Sequence, residues 1–211
     1  DHKLVDWYRR QLELLGVDVR FNTAVSAESA MQYEPDVIVT ATGSKARTLS
    51  LPGGRQGVAA EDVLLGRAPV GEHVVIIGGG LVGCETGLWL AQQGKQVEVV
   101  EILPALLGGH GALPHMNEFM LMDLLKFHHV GLHTSAGVVD TQEGKVVIEQ
   151  EGTRIELPAD TVITAVGYQS DCALYQQLQE LEIPVYNIGD SQSVHNIMYA
   201  IWNAYELARD L

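Results

Sequence analysis

The chain has 211 residues, enough for one large domain or two small ones, and its 46% hydrophobic and 19% charged content is that of an ordinary globular protein rather than a disordered one. A formal net charge of −14 argues against nucleic acid and against an anionic membrane surface as partners, because both require a positive face. The only cysteines, Cys84 and Cys172, form no C-x-x-C and no metal spacing, so two free thiols and a reducing, cytoplasmic setting are expected.

The opening "DHKLVDWYRR" is polar, helical in pattern and free of any signal-peptide pattern. It lacks an initiating Met, so further residues of the gene product are expected upstream of Asp1. Leu4, Tyr8, Leu12 and Leu15 recur at helical spacing over 3–15, and Gly16 suits the helix end. "VDVRFNTAV" (17–25) alternates as a strand does, and residues 36–42 read as a buried strand rich in β-branched side chains. "LPGGRQG" reads as a loop and "AAEDVLLGR" as a short helix or turn. A strand over 73–78, a helix over 81–93 and a strand over 96–101 form a β-α-β unit with tight joins. The apolar runs at 37–42 and 74–82 are too short and too glycine-broken to span a bilayer.

Residues 102–115 are glycine-rich and read as a loop. Within it "LLGGHGALPH" is taken as a surface loop in preference to a flap over a ligand. Met116 to Phe127 reads as a helix whose Met116, Met120 and Met122, with Phe119, Leu124 and Phe127, are expected to fill the core. His128, His129 and His133 have no acid or Cys to complete a metal set and are expected to be solvated or capping. The segment from Val130 to Gly167 has strand stretches split by Gly-containing turns, an antiparallel meander that returns into a last sheet strand. A strand and tight turn follow in "IPVYNIGDSQS". Ile197, Ile201, Ala204, Ala208 and Leu211 then line one face of a C-terminal helix.

The strongest signal is "VVIIGGGLVGCETGLWLAQQGKQVEVVE" (Val74 to Glu101). Gly78, Gly80 and Gly83 fit G-x-G-x-x-G between strand and helix: the first permits a tight turn, the second lets the backbone approach a pyrophosphate, the third lets the helix pack on the strand. Gly78, Gly79, Gly80, Leu81, Val82 and Gly83 are the expected phosphate-binding run, at the positive end of the helix. Glu101, 18 residues beyond Gly83, can accept hydrogen bonds from both ribose hydroxyls of an adenosine. A 2′-phosphate would meet its like charge, and no Lys or Arg lies between Lys95 and Lys126 to compensate, so NAD(H) is read in preference to NADP(H). Glu85 has two readings: a carboxylate favoured by the helix dipole, or a contact near the nicotinamide end.

Two stretches repeat one pattern: "PDVIVTATGS" (Pro35 to Ser44) and "ADTVITAVGY" (Ala159 to Tyr168), each an acid, a β-branched strand and Ala-x-Gly. Only the second follows a glycine fingerprint. With the fingerprint, the two copies and "VYNIGDSQS" in this order, the chain resembles the two-dinucleotide flavoproteins of the pyridine nucleotide–disulfide oxidoreductase fold. Its glycine segment is most similar to the C-terminal part of NADH:flavin oxidoreductases related to 2,4-dienoyl-CoA reductase and enoate reductases.

That resemblance implies an α/β fold in which a Rossmann-like NAD(P)-binding domain (67–171) is inserted in a partial FAD-binding Rossmann-like domain (1–66 and 172–211). Thr42 and Gly43 would mark the crossing out of the FAD-type part, and Val166 and Gly167 the crossing back. Gly189 and Asp190 match the Gly-Asp pair whose carboxylate bonds the flavin's ribityl or phosphate end, although Asp190 also suits a turn or N-cap. The helix starting near His195 would direct its N-terminus at the isoalloxazine. The implied function is to dock NADH for hydride transfer to a flavin, which needs no acid or base from these residues, so no catalytic residue is named. The implied cofactors are NAD(H), FAD in the full-length protein, and FMN and an iron–sulfur cluster in a part absent from this chain. The expected partners are the nicotinamide dinucleotide and flavin, with no nucleic acid, no membrane and a homo-oligomer left open. The isolated fragment is expected to be inactive. The rival readings are a non-catalytic adenine-nucleotide module and a reductase of a small electron carrier. The missing redox dithiol speaks against disulfide reduction.

Overall fold

A computed structural model describes residues 2–108 and 114–211. In chain order its elements are α1 (His2–Leu14), α2 (Ala27–Met31), β1 (Ile38–Thr40), β2 (Ser44–Ala46), β3 (Val58–Ala59), α3 (Ala60–Leu64), β4 (His73–Ile77), α4 (Leu81–Gln92) and β5 (Gln96–Val100). They continue with α5 (His115–Phe127), β6 (Gly131–His133), β7 (Ala136–Gln142), β8 (Lys145–Gln150), β9 (Thr153–Pro158), β10 (Thr161–Thr164), β11 (Tyr168–Ser170), α6 (Ala173–Leu178), β12 (Val185–Asn187) and α7 (Ile197–Asp210).

Five parallel strands in the order β3-β10-β4-β5-β6 form the central sheet. Its strands carry near-continuous apolar runs because both faces are covered. Val74, Ile76, Val97, Val99 and Ile163 face Leu90 of α4 and Leu121 and Leu125 of α5. Val75, Ile77, Val100 and Val162 face the antiparallel meander β7-β8-β9 through Val146, Ile148 and Leu157. Alternate side chains of one strand therefore feed two cores, and the carboxyl ends of all five strands lie along one rim of the sheet. The sheet takes in Val58–Ala59, ahead of the expected boundary at residue 67.

Outside this unit β1 pairs in parallel with β12, and β2 pairs antiparallel with β11. In the second pair each strand follows directly on one Ala-x-Gly copy.

Several expectations change. Residues 17–25 form no strand; Val17, Val19, Phe21 and Val25 stay exposed with no neighbouring strand to pair with. The strand expected over 36–42 is confined to Ile38–Thr40 and only Thr40 of it is buried. On α5 only Leu121 and Leu125 are buried, whereas Met116, Phe119, Met120 and Phe127 face solvent, so most of the residues expected to fill the core do not. The expected surface loop falls partly on residues 109–113, outside those described. Leu107 just before them is buried, with φ +59.

Candidate dinucleotide site

The glycines after β4 are required by geometry. Gly78 has φ +111, and a Cβ there would lie 2.4 Å from the Ala165 carbonyl oxygen. A Cβ on Gly83 would lie 1.9 Å from the carbonyl oxygen of Gly78, so α4 can seat against the loop only if residue 83 has no side chain. Gly80 is the N-cap of α4, in an extended conformation and with no side chain to cap the helix. The first turn thus leaves the amides of Leu81, Val82 and Gly83 without intrahelical acceptors, at the positive end of a twelve-residue helix.

Glu101 follows directly on β5. Its backbone N–H donates to the His133 carbonyl (2.7 Å), and its carbonyl accepts from Ala136 (2.9 Å). The residue is 9% exposed, and in its carboxylate Oε2 accepts from the Gly79 N–H at 2.6 Å and Oε1 from the Leu103 N–H at 2.8 Å. Two amides fix the carboxylate in place at the loop's edge. Gly79 therefore spends its N–H on Glu101, and its carbonyl accepts from Leu107 (2.8 Å). Its missing side chain makes room for Leu106, whose Cδ2 would be 2.3 Å from a Cβ there.

A cleft of about 660 Å³ opens over this rim, bordered by Gly78, Gly80, Glu101, Leu103, Val166 and Gly167. One wall is the segment Leu49–Pro52 and another is Ala136–Val138. No Lys or Arg borders the cleft among the described residues. The first wall is clamped from outside: Thr141 Oγ1 donates to the Pro52 carbonyl, and Arg55 donates to the carbonyls of Ala159 (2.8 Å), Gln142 (3.2 Å) and Asp160. Sequence reading missed this role of "LPGGRQG"; the Arg between glycines was the one available signal.

Glu85 is not in the cleft. It is exposed on the outer face of α4 and borders a groove against α5 with Leu81, Trp89 and Met120. Cys84 is buried, its thiol donating to the Gly79 carbonyl (3.4 Å). Burial first, then the negative charges of Glu101 and Glu85, push that thiol up to about 12 and make it a poor nucleophile.

The residues expected to mark the crossings converge. Thr42 Oγ1 donates to the Asp171 carbonyl, the Asp171 N–H donates to Gly43 (3.0 Å), and the Arg47 N–H donates to Gly167 (3.0 Å). Gly43 and Gly167 have φ of +76 and +89. Asp190 joins this knot to α7: Oδ2 accepts from Ser44 Oγ at 3.2 Å and Oδ1 from the His195 N–H at 3.1 Å. Gly189, at φ +65, makes the turn that presents it. The helix starts at Ile197 rather than His195, and Asn196 caps it by accepting from Met198 and Tyr199. His128 closes α5 as its C-cap and His133 bonds Glu98 at 2.8 Å. Among the described residues no three His, Cys, Asp or Glu gather as a metal set, and no helix is long and apolar enough to cross a membrane.

An anion cradle of bare amides, a fixed carboxylate beside it and a strand-end cleft fit a dinucleotide diphosphate with an adjoining ribose diol. Known proteins resemble this chain over its whole length. The cinnamate reductase of Clostridium sporogenes is 43% identical over 212 residues, covering 100% of this chain and 32% of that protein. An NADH oxidase of Thermoanaerobacter brockii is 32% identical, covering 96% of this chain and 32% of its own length. A solved 2-naphthoyl-CoA reductase in complex with 2-naphthoyl-CoA superposes with a TM-score of 0.89 at 27% identity, over 100% of this chain and 32% of that one. The chain thus spans about a third of the relatives it matches. Residues 26–190 match the family described as pyridine nucleotide-disulphide oxidoreductase. This chain belongs to that family of flavin- and nicotinamide-dinucleotide-binding oxidoreductases.

Proposed function

We propose that this chain is the nicotinamide-docking segment of a flavin-dependent oxidoreductase, which binds NADH and presents it to a flavin held by the full-length protein. One observation carries the reading: the Glu101 carboxylate, locked by two amides, sits beside the unpaired amides of the α4 N-terminus in a cleft bordered by no Lys or Arg among the described residues. Leu81, Val82 and Gly83 would donate to the diphosphate, Gly78 and Gly80 would admit it, and Glu101 would accept from the ribose hydroxyls while repelling a 2′-phosphate. Val166 and Gly167 would border the path toward the flavin side.

For the flavin, the residues present supply an end-piece: Thr42, Gly43, Gly189 and Asp190, tied together at the root of α7. They fit the flavin's polar tail, while a second amide cradle for its pyrophosphate is absent among the described residues. When bound, the flavin supplies acceptance of a hydride; this chain binds and orients the donor. FMN and an iron–sulfur cluster would belong to the two thirds of the relatives that this chain does not span.

Rapid mixing of the full-length protein with NADH and with NADPH tests the reading. Flavin bleaching within seconds by NADH, with NADPH slower, is the expected result. Tight adenine-nucleotide binding with no bleaching would mark a passive module instead and overturn it.

A further inference from the structure

Along the strand-end rim, Glu101 (after β5) and Gly78–Gly80 (after β4) occupy one half of the proposed dinucleotide path. The other half runs past Ala165–Gly167, after β10, to the end of β3. There a second, smaller cavity of about 70 Å³ begins at Gly80 and Val82, on the far side of the glycine loop from Glu101. It shares Gly80, Ala165 and Gly167 with the main cleft, so the two form one track. Two charged residues face it, Glu61 from the first turn of α3 and Arg47 directly after β2.

Both charges have capacity left over. Arg47 Nε donates to the Tyr168 carbonyl at 3.0 Å, which fixes the guanidinium, and its terminal nitrogens have no hydrogen bond or ion pair among the described residues. The Glu61 carboxylate has neither partner there, although it is half-buried and close enough to Tyr168 to add to the upward push that burial gives the phenol. A half-buried carboxylate without a donor and an anchored guanidinium with free N–H groups flank one small cavity. A primary carboxamide, with N–H donors and a carbonyl acceptor on one carbon, complements that pair.

We infer that Glu61 and Arg47 form a clamp for the carboxamide of the nicotinamide ring, Glu61 accepting from its N–H and Arg47 donating to its carbonyl. The inference rests on the proposed docking of NADH in the cleft and adds the residues that read its reactive end.

Equilibrium binding of NADH and of reduced 3-acetylpyridine adenine dinucleotide to the purified protein tests it. The analogue replaces the carboxamide by a methyl ketone, so it keeps the acceptor and loses the donor. Native protein is expected to bind the analogue about tenfold more weakly, the usual scale for a hydrogen bond to a charged group. Glu61→Ala should weaken NADH about tenfold, leave the analogue unchanged and so erase the difference. Glu61→Gln, whose amide oxygen still accepts, should restore most of it without disturbing α3. Arg47→Met should weaken both nucleotides alike. Equal affinity of native protein for the two nucleotides, or a Glu61→Ala loss shared by both, overturns the clamp while leaving the cleft in place. Unchanged affinities in Arg47→Met overturn the arginine's half. If native protein binds neither nucleotide, the docking reading fails and the clamp with it.

Discussion

At Glu101 one carboxylate serves the glycine loop through Gly79 and the following turn through Leu103, and its outer lone pairs remain for a ribose. Removing it should therefore cost more than specificity. Glu101→Ala is expected to weaken NADH binding by about tenfold or more, to narrow the preference over NADPH, and to lower the melting temperature because two amides lose their acceptor. Titration of both nucleotides reads the first two effects, and an unchanged preference would sink the assignment of Glu101 to the ribose. Gly83→Ala separates fold from ligand in the opposite way. Its new Cβ meets a backbone carbonyl that cannot step aside, so a loss of about 1–3 kcal/mol in thermal or denaturant unfolding is expected. The places of Gly78, Gly80, Gly83 and Glu101 were legible in the sequence because steric need and strand-end position recur at fixed spacing. The wiring of Gly79 to Glu101 was not legible, since a backbone N–H carries no sequence signature. Cys84 is expected to resist alkylation at about pH 8, a pH far below its raised pKa, while the partly exposed Cys172 reacts; intact-mass labelling distinguishes the two.

Between elements, the pairing of β5 with β6 carries an ionisable contact. Glu98 and His133 point to the same face, on the meander side, and bond at 2.8 Å. The bond to Glu98 raises the His133 pKa against the opposing pull of burial. A histidine whose pKa rises on folding adds stability that is fully present below its unfolded value of about 6.5 and fades as pH climbs through the folded value. The gap in melting temperature between native protein and Glu98→Gln should accordingly be widest near about pH 6 and close toward about pH 8.5. A gap that does not change with pH would mean that the pair adds only packing. At this scale the β-α-β unit and the meander were readable because apolar strands bounded by glycine leave few alternatives. The alternation at 17–25 misled, since a strand needs a partner that the sequence pattern cannot supply. The apolar face of α5 misled for a related reason: Leu121 and Leu125 suffice to cover the sheet, and the stripe through Met116, Phe119, Met120 and Phe127 turns away from it.

Across the whole molecule burial is unevenly shared. Both cores are built on the five-stranded sheet and its two coverings, to which Ala60 and Val63 of α3, Leu107, and Leu51 of the clamped cleft wall add. By contrast α1 and α7 contain no buried residue, and apolar side chains such as Trp7, Ile197 and Trp202 stand open to solvent. Opening free energy follows local burial, so amide exchange should be slowest in β4, β5 and β10 and fast along α1 and α7. Equal protection of α7 and β4 would show a cooperativity that the contacts do not provide. The same imbalance bears on the two dinucleotides. The proposed NADH site is built on the protected sheet, with its loop, helix and acid all anchored in one packed unit. The residues proposed for the flavin side are held by a knot of hydrogen bonds among short segments, where Asp190 accepts one bond from Ser44 and one from His195 at the root of α7, a helix with no buried residue. The purified 211-residue chain should therefore bind NADH yet lose added FAD on gel filtration, read as absorbance near 450 nm that elutes with free flavin. A chain that emerges yellow with one FAD per protein would mean that the knot alone supplies a complete flavin site, and the division of labour argued here would have to be redrawn.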